Sequence, residues 1–171
     1  MPLERTGVVT RAGNPLTLIG PEIKVGDHAP DFRCADNDWK AVTLADTAGK
    51  VRLFNVVWSL DTAVCDTQTR RFNEEAVKIA GLDIWTVSMD LPFAQKRWCG
   101  ASGLVGVRTI SDHHDASFGS NWGLLAKERR LLARATFVVD PSDTVRHVEI
   151  VKDITQQPDY DAALTAARSL L

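Results

Sequence analysis

Two cysteines, Cys65 and Cys99, are of a residue type that could do covalent chemistry, and their surroundings differ. Cys65 follows Trp58-Ser59-Leu60-Asp61-Thr62-Ala63-Val64, a polar break between an apolar run and an amphipathic stretch. A thiol in the first turn of a helix meets unpaired N–H groups and the positive end of the helix dipole, which favour its thiolate form. The thiolate is the nucleophile and the species that oxidises. Thr62, three residues earlier, is placed either to cap the helix or to turn its hydroxyl toward the sulfur. A second reading stays open, because Cys65 falls in step with Phe72 and Ile79 and also suits a core face as a small apolar residue. Cys99 closes the stretch Leu91-Pro92-Phe93-Ala94-Gln95-Lys96-Arg97-Trp98 and precedes Gly100. Taken alone it is an idle thiol, or a partner for Cys65 if one or both helix ends unwind.

The elements that would position these thiols follow from hydrophobic periodicity. Val51 to Val57 is an almost continuous apolar run broken by Asn55, as expected of a strand buried on both faces. Cys65, Thr69, Phe72, Ala76 and Ile79 then recur at steps of four and three, with Arg70, Arg71, Glu74, Glu75 and Lys78 opposite. That pattern predicts an amphipathic helix ended at Gly81. Leu82 to Ser88 is the next strand, completing a strand–helix–strand unit with a right-handed crossover expected. Pro92 opens a shorter helix that Gly100 should stop. Thr6 to Thr10 and Leu16 to Ile19 form a hairpin across Ala12-Gly13-Asn14-Pro15, and Ala135 to Val139 and Thr144 to Ile150 form another across Asp140-Pro141-Ser142-Asp143. Asp159 to Leu171 makes a closing helix. The expected class is α/β, a mixed sheet flanked by helices with an N-terminal β-hairpin.

Length and charge narrow the function. A chain of 171 residues suggests one domain over 1–171 with a core that needs no disulfide or metal staple. Twenty Lys and Arg against 22 Asp and Glu, mixed along the chain, argue against a nucleic-acid binder. No run is long and apolar enough for a membrane span, and Glu4 and Arg5 stand where a signal peptide would begin its apolar region. A cytoplasmic protein is the expectation, and there three cysteines do not suggest a structural disulfide framework.

Leu60-Asp61-Thr62-Ala63-Val64-Cys65 with Arg70-Arg71-Phe72-Asn73, and Asp90-Leu91-Pro92-Phe93-Ala94-Gln95 leading to Cys99-Gly100, resemble the thiol peroxidases. These are the atypical two-cysteine peroxiredoxin family with a thioredoxin-like fold. The resemblance extends to Gly13-Asn14-Pro15, to Val25-Gly26-Asp27, to Ala29-Pro30-Asp31-Phe32 and to Ala133-Arg134-Ala135, and so covers nearly the whole chain. It implies that Cys65 is the peroxidatic cysteine, attacking the O–O bond of hydrogen peroxide or an organic hydroperoxide and becoming a sulfenic acid. Cys99 is then the resolving cysteine that forms an intramolecular disulfide with it. Thr62 would hydrogen-bond the thiolate and peroxide oxygens, and Arg134 would favour the thiolate and steady charge on the leaving oxygen. Thioredoxin is implied as reductant and a homodimer as the assembly, with no metal or organic cofactor.

Trp58 departs from that family, which carries proline seven residues before the peroxidatic cysteine. The larger ring is expected either to exclude water or to crowd the peroxide, giving an activity that is weak or biased in substrate size. The same departure supports the alternative of a thioredoxin-like binding or redox-sensing scaffold. Among the remaining candidates, Cys34 is expected to be a structural or incidental thiol. His113 and His114 beside Asp112 and Asp115 raise metal and Cys–His hydrolase readings, but no clustered Cys/His spacing accompanies them, so a solvated polar loop is expected.

Overall fold

The computed structural model describes residues 1–171. β1 (Glu4–Arg11) and β2 (Asn14–Ile19) form the first hairpin. Its loop is only Ala12-Gly13, both at positive φ, with Arg11 paired to Asn14. Such a loop matches the right-handed twist of the strands it joins. Two short strands, β3 (Arg33–Ala35) and β4 (Ala41–Thr43), precede β5 (Val51–Val56), which is buried on both faces as its composition requires. Then come α1 (Ala63–Ala76), β6 (Leu82–Ser88), α2 (Pro92–Ser102) and β7 (Thr109–Ser111). The chain continues through α3 (Ser117–Asn121), β8 (Leu125–Ala126) and β9 (Leu131–Leu132). It ends with β10 (Ala135–Val139), β11 (Val145–Ile150) and α4 (Tyr160–Arg168).

The main sheet has seven strands in the order β11-β10-β5-β6-β7-β3-β4. β5, β6 and β7 run parallel and the other pairings are antiparallel, so the sheet is mixed as expected. The second sheet is β1-β2-β8-β9. Alternation along β5 divides the core. Val51 and Leu53 join Phe72 of α1 and Ala163, Leu164 and Ala167 of α4. Phe54 and Val56 face the larger cluster, where Phe54 meets the rings of Phe32, Phe118 and Trp122 at 5.2–5.8 Å between centroids. No helix is long and apolar enough to cross a membrane.

Helix boundaries differ from expectation in two places that bear on the cysteines. α1 stops at Ala76, and Val77 to Ile79 form turns held by the Glu75 and Ala76 carbonyls before Gly81 reverses the chain at φ +88. α2 passes through Gly100 and ends at Ser102, with Gly103 in the left-handed conformation at φ 72 as its cap. An interior glycine costs about 1 kcal/mol, but the last turn is held from outside, because Arg70 Nη1 of α1 donates to the Ser102 carbonyl at 2.8 Å. Cys99 is therefore inside the last turn of α2 rather than at its end.

Candidate active site

Cys65 is the third residue of α1 and has no exposed surface. The Ser59 N–H donates to its sulfur at 3.5 Å. The loop that delivers this N–H is fastened by Asp90, which accepts from Ser59 Oγ at 2.7 Å, from Leu60 N–H at 2.8 Å and from Ser88 Oγ at 2.8 Å. Asp90 thus ties the end of β6 to the turn before α1. It belongs to a quoted motif, yet its role is visible only once β5 and β6 lie side by side.

Thr62 takes the N-cap position of α1, but its hydroxyl neither caps the helix nor meets the sulfur; it donates to the Ser59 carbonyl at 2.9 Å. It opens onto a cleft of about 140 Å³ whose walls include Trp58, Val64 and Ile154, with Arg134 on the same surface. Trp58 is 8% exposed, so its ring is a wall of the cleft and not a surface ornament. Arg134, 2% exposed, enters between β9 and β10. Its Nε and Nη2 both donate to the Ile154 carbonyl, at 2.9 and 2.6 Å, and its Nη1 donates to Gln68 Oε1 at 2.6 Å.

Gln68 stands one helical turn after Cys65 on α1, and its amide donates onward to Asn55 Oδ1 at 2.6 Å. Asn55 in turn donates to Thr69 Oγ1 and Thr86 Oγ1, each at 3.1 Å. A buried donor left unpaired costs roughly 1–3 kcal/mol; here every link is satisfied, so the chain of side chains fixes the guanidinium. Tyr160, the first residue of α4, packs its ring on Phe72 at 4.9 Å. Burial pushes its phenol above its ordinary range, Arg134 and Arg71 pull it back, and Cys65 opposes them.

Cys99 is half-buried, and its sulfur contacts Thr109 and Asn37. Thr109 Oγ1 lies 3.5 Å from the sulfur and the Asn37 amide 3.7 Å, and Thr109 donates to Asn37 Oδ1 at 2.7 Å. The residues next to the two cysteines are nevertheless joined: Trp98 Nε1 donates to Asp66 Oδ1 at 2.8 Å, and Arg70 Nε donates to Asp66 Oδ2 at 2.9 Å. All three cysteines are free thiols.

Thr62 and Arg134 share the cleft with Trp58, and Cys65 lies buried next to Val64 of its wall, while the Cys99 sulfur contacts Asn37 and Thr109. Gln68, Asn55, Asp90 and Tyr160 are residues that sequence reasoning missed. Two signals were present: a polar Asn55 inside a buried strand, and Gln68 one turn beyond a candidate nucleophile.

Cys34 lies on β3, 4% exposed, and its S–H points at Asp112 Oδ1 at 3.6 Å. Burial, reinforced by the Asp112 carboxylate, pushes this thiol far above its ordinary range. Iodoacetamide at about pH 8 should therefore alkylate Cys99 in the native protein and spare Cys34. Peptide mass mapping checks this, and labelling of Cys34 at the rate of Cys99 would contradict it.

His113 approaches Ser111 Oγ at 3.0 Å and the Trp39 ring at 5.4 Å, and exposed His114 pairs with Asp115 at 2.6 Å. The loop is solvated at His114 but not throughout, because Asp112 is buried and caps α3 through the N–H groups of Phe118 and Gly119. No group of three or more His, Cys, Asp or Glu side chains is placed to hold a metal ion.

Comparison with known proteins identifies the family. Residues 24–164 match the Redoxin family model. The chain is 55% identical over 163 residues to a thiol peroxidase of Halalkalibacterium halodurans, covering 95% of this chain and 98% of that one. It is 50% identical over 163 residues to the thiol peroxidase of Bacillus subtilis, with the same coverage. A peroxiredoxin-like protein from Aquifex aeolicus superposes with a TM-score of 0.90 at 38% identity, covering 98% of each chain. The chain belongs to the redoxin family and, within it, to the thiol peroxidases, peroxiredoxin-type enzymes with a thioredoxin-like fold.

Proposed function

We propose that Cys65 is the peroxidatic residue of this thiol-dependent peroxidase and that Cys99 resolves it. The Cys65 thiolate attacks the terminal oxygen of a hydroperoxide, an S–O bond forms as the O–O bond breaks, and the leaving alkoxide or hydroxide takes up a proton. The Cys99 thiolate then attacks the sulfenic sulfur, hydroxide leaves as water after protonation, and a Cys65–Cys99 disulfide remains. A thioredoxin-type dithiol returns both cysteines to thiols by exchange. The observation that carries this reading is Cys65 in the first turn of α1, adjoining a cleft that Thr62 and Arg134 share.

Each neighbour has a distinct part. Donors already aimed at developing charge are worth most in a water-poor site. Arg134, fixed by Ile154 and Gln68, supplies a cation with no reorganisation. Rotation of the Thr62 hydroxyl away from Ser59 would bring it to the sulfur or the peroxide oxygen. Trp58 forms part of the cleft wall, where its ring bounds the space open to a peroxide. The scaffold alternative is not favoured, because the relatives at 50–55% identity are thiol peroxidases. A homodimer is the proposed assembly, for which exposed Trp39, Leu91 and Phe93 offer an apolar contact surface, and the cytoplasm is the proposed compartment.

Intact mass after one equivalent of hydrogen peroxide tests the cycle. The expected product is about 2 Da lighter, with peptides joining Cys65 to Cys99. A stable gain of about 16 Da on Cys65 would remove Cys99 from its role, and an unchanged mass would remove Cys65 from its own.

A further inference from the structure

Arg11, the last residue of β1, lines the same cleft as Trp58, Val64, Ile154 and Arg134. Arg134 is committed to the Ile154 carbonyl and Gln68, whereas the Arg11 side chain takes part in no hydrogen bond or salt bridge; Arg11 is tied down through its backbone, which pairs with Asn14. The acid on the adjoining segment is Asp153, and it is occupied. Its carboxylate accepts from Thr10 Oγ1, from the N–H groups of Ala12 and Gly13, and from the N–H and hydroxyl of Thr155, at 2.6–3.2 Å. Those bonds hold the Asp153 carboxyl well below the usual carboxylate range. They also pin the hairpin turn to the segment carrying Ile154 and Thr155, which is what brings Arg11 to the rim of the cleft.

The lining therefore combines apolar walls with two guanidinium groups and no carboxylate. We propose that this cleft selects organic hydroperoxides that carry a carboxylate, with Arg11 pairing the anionic end while the peroxide end meets Cys65. The proposal rests on Cys65 being the peroxidatic residue. A cavity of about 150 Å³ is enough for a benzene-sized group, and this cleft, at about 140 Å³, is of that order. Hydrogen peroxide carries no anionic group for Arg11 to pair. A neutral alkyl hydroperoxide gains the walls of Trp58, Val64 and Ile154 but leaves the rim cation unused.

The test is a single-turnover comparison of cumene hydroperoxide with its para-carboxylated derivative on fully reduced protein. The readout is the ratio of their second-order rate constants for Cys65 oxidation, followed by quenching and mass. The ratio is expected to favour the carboxylated peroxide and to fall with added salt. Arg11→Gln should lower it about fivefold, the size of a partly exposed ion pair, and Arg11→Lys should restore most of it. An unchanged ratio in Arg11→Gln would overturn the selection. Failure of wild-type protein to oxidise at Cys65 with either peroxide would instead overturn the peroxidatic assignment beneath it.

Discussion

Arg134→Met is expected to lower the second-order rate of Cys65 oxidation by about 10²–10³, the usual loss when one preorganised charge-stabilising donor is removed. The guanidinium is held by three hydrogen bonds to two acceptors and has 2% exposure, so its charge does not have to be recruited when the O–O bond breaks. The substitution also has a structural cost. Gln68 Oε1 and the Ile154 carbonyl lose their charged donor, and each buried acceptor so stranded costs roughly 1–3 kcal/mol. Activity and stability must therefore be read separately. Thermal melts of reduced protein report the second effect, and rapid-quench mass of Cys65 oxidation reports the first. Arg134→Lys separates them further, because an ammonium keeps the charge but not the fork that engages Ile154 and Gln68 together. Its rate should fall between wild type and Met. A folded Met variant that oxidises within twofold of wild type would remove Arg134 from the chemistry, and if Met does not fold, a neutral Arg134→Gln variant at wild-type rate would do the same; a Lys variant at wild-type rate would show only that the charge suffices without the fork.

The network behind Arg134 shows where sequence reading reaches its limit. Strand β5, helix α1 and the turn that presents Cys65 follow from periodicity and end signals, and both hairpins follow from their turn residues. Thr62, Cys65, Cys99 and Arg134 were named from motifs. Which way their polar atoms point is a different kind of information, set by neighbours distant in the chain. Gln68 meets Arg134 across 66 positions, and Ser59 meets Asp90 across 31. Asn55 looked like a flaw in an apolar run, yet it lies on the α1 side of β5 and is satisfied by that helix. Strands of two or three residues, such as β4, β7, β8 and β9, carry too few alternations to register a period. The passage of α2 through Gly100 was hidden for a similar reason, since the stabilising contact comes from Arg70 on another helix.

That contact leads to the second large effect. Cys99→Ser should still allow Cys65 to oxidise once, but the product should be about 16 Da heavier instead of 2 Da lighter, and excess peroxide should carry it on to the irreversible sulfinic acid. Thioredoxin-coupled turnover should fall by at least about 10²-fold, because no exchangeable disulfide forms. The geometry explains why resolution is a conformational event and not a simple collision. A disulfide needs its two Cα atoms within about 7 Å and both sulfurs aimed at each other. Here the Cys99 sulfur faces Asn37 and Thr109, and the Cys65 sulfur faces the Ser59 N–H. Joining them must disturb the bond from Trp98 to Asp66 and the hold of Arg70 on Asp66 and Ser102. Closing a loop from residue 65 to residue 99 stabilises by roughly 3–4 kcal/mol in the chain-entropy view. The broken α1–α2 contacts subtract from that, leaving a bond labile enough for a dithiol to reduce. Tryptophan fluorescence separates the two outcomes independently of mass: peroxide should change the emission of wild type, where Trp98 leaves Asp66, and leave that of Cys99→Ser nearly constant. Equal changes in both proteins would mean that the helices part on sulfenic acid formation itself, before any disulfide closes.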